Sequence, residues 1–210
     1  MPQCRARLYI VAIQKSSYVA PFNIVAPDTK PAALSVFLWP EGFDDKNIGL
    51  GWRDSRTARS AWKLEQERWL KMGKTIETDD VIMDQESGKF LKGMFEKSPC
   101  IGRAIARSRR FVLTSKKYAL DTPEFAALQG YSSEKINAMR KNMSDQDIRG
   151  ALGNAYCQPV FQHILRHALA SAGLIDDSRI RQIHGSTPCR VHELGRPRAA
   201  AVIQSSGLGP

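Results

Sequence analysis

Thr122-Pro123-Glu124-Phe125-Ala126-Ala127-Leu128-Gln129-Gly130 is the stretch on which the fold turns. Thr122 reads as an N-cap and Pro123 as the first helical residue, where a missing N–H costs nothing. A short helix through Leu128 is predicted, and Gly130 can take the left-handed conformation that stops it. Towards the C-terminus the same punctuation repeats. Ser132 or Ser133 caps a helix reaching about Asn142, and Ser144 followed by Asp147 marks another start. A last helix is predicted from Tyr156 to Ala172, with Val160, Phe161, Ile164, Leu165, Ala168 and Ala172 on one face. Pro159 is tolerable in its first turn. Past Asp176 the periodicity stops, and Arg190 to Pro210 lacks the bulk to build a core, so a disordered tail is expected.

Upstream of Thr122 the chain is dense in positive charge, with Lys89, Lys92, Lys97, Arg103, Arg107, Arg109, Arg110, Lys116 and Lys117. Such a run is commonly a solvated face, but apolar residues interleave it here, as on a surface that meets phosphates. Phe111-Val112-Leu113 reads as a strand within it. Val81-Ile82-Met83 reads as another, followed by the turn signal Glu86-Ser87-Gly88. Thr57 to Met72 is predicted helical. Ala58, Ala61, Trp62, Trp69 and Met72 share a face that Glu65 interrupts, and that face is either core or a docking surface. Residues from about 17 to 55 are rich in proline and glycine and read as loops. Leu8-Tyr9-Ile10-Val11-Ala12-Ile13 is continuously apolar and β-branched, which suits a strand buried on both faces of a sheet.

Composition narrows the function. With 31 Lys and Arg against 21 Asp and Glu, the 210 residues carry a formal charge of +10. A polyanion is the leading partner, because each phosphate neutralised releases counterions. A basic protein with no nucleic-acid role stays open on charge alone. No apolar run approaches the roughly 20 residues needed to span a bilayer, and no signal peptide is recognised. Cys4, Cys100, Cys157 and Cys189 are far apart, without zinc-ligand spacing. Reduced thiols in an intracellular protein are expected, and no structural metal.

Three short segments, in order, resemble the last signature motifs of the DNA cytosine-5 methyltransferases. Gln3-x-Arg5-x-Arg7, running into the Leu8–Ile13 segment, is similar to the family's Gln-x-Arg-x-Arg element. Two arginines at i and i+2 of an extended chain point to one face, where their forks can grip a phosphate and the polar edge of an extruded cytosine. Leu120-Asp121-x-x-Glu124-x-x-x-Leu128-Gln129-Gly130-Tyr131 resembles the family's Leu-Thr-x-x-Glu-x-x-x-Leu-Gln-Gly-Phe-Pro, with Asp121, Tyr131 and Ser132 as departures. Leu128 is assigned packing, Gln129 and Gly130 architecture. Gly153-Asn154-Ala155 resembles the motif Gly-Asn-Ala/Ser-Val, which opens a helix beside S-adenosylmethionine. Backbone N–H groups at a helix start would favour the cofactor's carboxylate. Ser98-Pro99-Cys100-Ile101 looks like the Ser-Pro-Cys-Leu segment that some members carry.

The resemblance covers residues 2 to about 170 and implies an α/β fold. The expectation is a partial Rossmann-like S-adenosylmethionine-dependent methyltransferase domain with an inserted small mixed target-recognition region. Residues 1–16 would be a late strand of the methyltransferase domain, 17–117 the target-recognition region, 118–175 the returning helices and 176–210 the tail. Arg5 and Arg7 would support the target base, Asn154 and Ala155 would contact S-adenosylmethionine, and Gln3, Arg103, Arg107, Arg109 and Arg110 would contact double-stranded DNA.

The family's nucleophilic Pro-Cys loop, its Glu-Asn-Val motif and its first glycine-rich cofactor loop belong before Gln3 and do not occur here. Pro99-Cys100 and Gly49-Leu50-Gly51 imitate two of them on the wrong side of the order. Cys100 is expected to be a packed thiol and Gly49–Gly51 a turn. The resemblance therefore implies a C-terminal part, inactive alone, of an enzyme whose catalytic motifs lie upstream of residue 1. Nuclear location is implied in a eukaryote, cytoplasmic in a bacterium or phage. A subunit of a split enzyme and a non-catalytic basic DNA-binding remnant are the alternatives.

Overall fold

The computed structural model describes residues 8–24, 32–38, 56–84, 93–116 and 118–176. The expected turns at 49–51 and 86–88, the tail from 177, and Gln3, Arg5 and Arg7 lie outside them. So do the side chains of Ala58 and Ala61. The described residues form a mixed α/β structure of six helices and one four-stranded antiparallel sheet.

The sheet holds β1 (Val81–Asp84), β2 (Met94–Phe95), β3 (Phe111–Leu113) and β4 (Tyr118–Ala119), in the order β2-β1-β3-β4. β1 and β3 are the runs the sequence marks, and every residue of β3 is buried. Ile82 pairs with Leu113 and Asp84 with Phe111, while Leu113 also faces Tyr118 of β4. β2 and β4 have two residues each, too short for any periodic signal. The Leu8–Ile13 segment forms no strand, contrary to its sequence reading. Leu8 and Ile10 are 86% and 87% exposed, and among the described residues no strand lies beside it to share backbone hydrogen bonds. Apolar content without a neighbouring edge does not make a sheet.

Helix α1 (Arg56–Leu70) packs on the β1–β2 side through a small cluster of Trp69, Ile76 and Val81, joined by Trp62 and Phe95. Glu65, which breaks the apolar stripe in sequence, is fully buried there. It accepts a 2.8 Å hydrogen bond from Trp69 Nε1 and two from Arg68 at 3.1 and 3.2 Å. Burial of that carboxylate is tolerable because its oxygens are filled by donors. Met72, assigned to the same face, is exposed.

The larger core lies under α3 (Thr122–Gln129), α4 (Ser133–Arg140) and α5 (Asp145–Asn154), with the short α2 (Arg103–Arg107) laid across α5. All eight residues of α3 are buried. Burying a side chain such as Phe125 or Leu128 contributes about 1.5–3 kcal/mol. The N-cap is Asp121, one residue before the expected Thr122, and Pro123 stands second in the helix. Asp121-x-x-Glu124 forms a reciprocal capping box, with Asp121 N–H donating to Glu124 Oε2 at 2.9 Å. Tyr118 O–H donates to the other oxygen of Glu124, tying β4 to the helix start. Gly130 ends α3 at φ 78°, as its sequence reading requires.

Helix α6 (Gln158–Ser171) follows α5 but buries little: Ser171 is its only buried residue, and Val160, Phe161 and Leu165 are 41–43% exposed. Its C-terminal end holds residues 18–21, with Ser171 C=O accepting from Val19 N–H at 2.9 Å.

Candidate functional site

Three of the described candidate residues, Arg103, Arg107 and Asn154, converge where α2 crosses α5. The crossing is made possible by glycine. A Cβ at Gly153 would stand 2.6 Å from both Arg103 Cα and Gly102 O, so no other residue fits without moving α2. Three residues earlier, Gly150 lies beneath the aliphatic stems of Arg103 and Arg107, which would be 3.8–3.9 Å from a Cβ there, an ordinary contact. Both stems are therefore packed while their guanidinium groups reach solvent. Together the two helices enclose a cleft of about 430 Å³, to which Arg103 and Arg107 contribute from α2 and Asp147, Gly150, Ala151 and Asn154 from α5. Met143, from the turn before α5, completes the lining.

Asn154, assigned by resemblance to the cofactor, thus lines one cleft with Arg103 and Arg107, assigned to DNA. Ala155 is the C-cap of α5 and is not part of the lining. Gly153 and Asn154 close α5 rather than open a helix, and α6 begins at Gln158, capped by Cys157. The expected cradle of N–H groups is consequently missing at Asn154. Free carbonyls end a helix, and they favour cations. Asn154 is exposed, with its carboxamide free to hydrogen-bond a ligand.

The four arginines divide in two. Arg109 and Arg110 are committed to the fold. Arg110 grips Asp84 with a two-pronged fork, Nε to Oδ1 at 2.9 Å and Nη2 to Oδ2 at 2.8 Å, locking the turn after α2 to the end of β1. Arg109 sits in the left-handed region at φ 52°. Arg109 N–H donates to Ala106 O and Arg110 N–H to Ile105 O, the pattern that commonly ends helices on a glycine. Its side chain donates to Ala119 O at 3.1 Å and approaches Asp121 at 3.8 Å. Arg103 and Arg107 are exposed. Arg107 meets Asp147 at 3.6 Å, with both groups about half exposed, and among the described residues Arg103 has no ion-pair partner.

Below the cleft, charges that the sequence reading left aside hold the helices together. Arg149 donates to Asp121 Oδ1 at 2.9 Å and Thr122 Oγ1 at 3.1 Å, joining α5 to the start of α3. Burial pushes the Arg149 guanidinium below its ordinary value, opposed by Asp121. Arg140 forks onto Asp145 at 2.9 and 3.1 Å, and this bond holds the Asp145 carboxyl below the usual range. The sequence reading puts the α3 cap at Thr122 and names no capping box, and the partner of Asp121 lies 28 residues away, beyond any local pattern. Gln129 is fully buried, and its Nε2 donates to Leu152 O at 3.0 Å, one residue before Gly153. Gln129 Oε1 has no partner among the described residues.

Cys100, expected to be packed, is exposed, while its neighbours Ser98 and Ile101 are buried. The Ser98 hydroxyl is turned inward, where it donates to Pro99 O at 3.0 Å. Cys157 is buried and unpaired, and burial raises its thiol above the ordinary value. Among the described residues, no group of three His, Cys, Asp or Glu could hold a metal, and no helix is long and apolar enough to cross a membrane.

Set against known protein families, curated proteins and solved structures, the chain matches none of them.

Proposed function

We propose that the chain is the C-terminal, DNA-reading part of a DNA (cytosine-5) methyltransferase. In the whole enzyme a cysteine of the catalytic half adds to C6 of a flipped cytosine, and the activated C5 takes a methyl group from S-adenosylmethionine. The observation that carries the reading is the bond from Gln129 to Leu152 O at 3.0 Å. It welds the Leu128-Gln129-Gly130 segment to the residue beside Gly153-Asn154-Ala155, so two segments that resemble consecutive motifs form one packed unit.

In this reading Gln3, Arg5 and Arg7 face the target nucleotide, and Arg103 and Arg107 hold the DNA backbone. Arg109 and Arg110, already bonded within the protein, shape the surface that carries those two. Asn154 and Ala155 would border the cofactor. The carbonyl end of α5 suits the cofactor's ammonium or sulfonium better than its carboxylate, and the catalytic half supplies the remaining walls. S-adenosylmethionine brings the transferable methyl group; this chain's residues position the base and the strand.

The chain alone is expected to transfer no methyl group. Mixed with a separately purified half carrying Pro-Cys and Glu-Asn-Val motifs, it should restore labelling of duplex DNA from tritiated S-adenosylmethionine. Labelling by the chain alone, or none from the mixture, rejects the reading. A non-catalytic DNA-binding module is favoured by one observation, the surplus of exposed cation at Arg103 on a +10 chain. Calorimetric binding of the cofactor to the mixed halves but not to the DNA-bound chain alone separates the two.

A further inference from the structure

We infer that the α2–α5 cleft is a seat for one phosphodiester group, with Asp147 as a built-in competitor that occupies Arg107 until the phosphate arrives. The choice of DNA as the source of that phosphate rests on the methyltransferase reading; the seat itself rests on the geometry.

Arg103 and Arg107 stand one helical turn apart on α2, so their guanidinium groups are near neighbours on one face. Each stem lies against Gly150, which limits the ordering that binding would otherwise require. The charges of the lining do not cancel. Two guanidinium groups face one carboxylate, Asp147, and one positive charge is left over. A phosphodiester carries one negative charge. Ala151 with Met143 gives the cleft an apolar surface of the kind a sugar ring covers.

The competitor is set loosely. Arg107 Nη2 lies 3.6 Å from Asp147 Oδ1, longer than the 2.8–2.9 Å of the Arg110–Asp84 fork. Asp147 is also held from the other side, accepting from Ser144 Oγ at 2.6 Å. The carboxylate can therefore release Arg107 without losing all its hydrogen bonds. A tetrahedral phosphate, which accepts from both forks at once, makes the stronger contact.

Two arms test this. In the first, the isotopically labelled chain is titrated with inorganic phosphate and the amide resonances of Gly150, Ala151 and Asn154 are followed. They should shift together, and Arg103→Gln should abolish the shifts. In the second, a short labelled DNA duplex is bound across a range of salt. Arg103→Gln should weaken binding about tenfold and lower the salt slope by about 1. Asp147→Asn should tighten binding about threefold, the scale of an exposed ion pair, with unfolding curves confirming that both variants fold.

Duplex binding that is indifferent to Arg103→Gln and to Asp147→Asn overturns the seat and leaves the DNA-reading proposal standing. Phosphate-induced shifts that depend on Arg103, without duplex binding, keep the seat, assign it to a free phosphate and overturn the DNA reading. Absence of both responses overturns both. Asp147→Asn that weakens duplex binding removes the competitor role, since that role allows only a gain.

Discussion

Helices α5 and α6 follow one another in the chain and are treated oppositely by the fold. α5 is ten residues long and buries Ile148, Gly150, Leu152 and Gly153. α6 is longer and richer in bulky apolar side chains, yet Ser171 alone is buried. The contrast shows that a helix is buried by what can reach it rather than by its own apolar content. Two glycines let α2 close on α5, and Gln129 and Arg149 tie α5 to α3. α6 offers Val160, Phe161 and Leu165, each more than 40% exposed, and the segment at 18–21 bonds to its C-terminal end.

The largest effect belongs to the glycine seam, which divides within a single helix. Gly153→Ala drives a methyl group into the backbone of Gly102 and Arg103 at 2.6 Å, where nothing flexible can yield. A loss of about 3 kcal/mol is expected, the upper end for overpacking. Gly150→Ala meets only side chains at 3.8 Å and beyond. It should gain about 0.5–1 kcal/mol from helix propensity. Urea unfolding of both variants measures the difference. Equal behaviour of the two would mean that α2 does not rest on α5 at Gly153.

That same seam marks how far the sequence could be read. The helix from Thr122, its stop at Gly130, the start at Ser144 and the strands at 81 and 111 were all legible, because each depends on neighbours within a few residues. The partners of Gln129, Arg149 and Arg110 were not, since they lie more than 20 residues away and no local pattern encodes them. Glu65 read as a break in a stripe and is instead a buried anchor, because a carboxylate's burial depends on donors that the stripe does not show. At the site, the positive run was visible, but its division into two structural and two solvent-facing arginines was not. That division follows from where Asp84, Ala119 and Asp121 come to lie.

The comparison sharpens further by truncating one leucine on each helix. Leu152 is fully enclosed, and Leu152→Ala should cost about 2.5 kcal/mol, lying within the range for buried truncations. Leu165 keeps 43% of its surface in water, and Leu165→Ala should change stability by about 0.5 kcal/mol or less. Comparable losses would require α6 to be covered in solution by something that touches Leu165.

The smallest effect is electrostatic and sits at the entrance to α5, where α4 hands its charge across. The fork from Arg140 holds Asp145 deprotonated below the ordinary carboxylate range, so the folded state binds that proton less readily than the unfolded chain. The resulting stabilisation is complete above the unfolded value near pH 4 and disappears as pH falls through the lower, folded value. Its size is limited because Asp145 is 37% exposed. About 1 kcal/mol is the expected ceiling for such a pair. Arg140→Gln should therefore be less stable than the parent at neutral pH, and the gap should narrow steadily once the pH drops below about 4. A gap that stays constant into strong acid would show that Arg140 stabilises the α4–α5 corner through its packed stem rather than its charge.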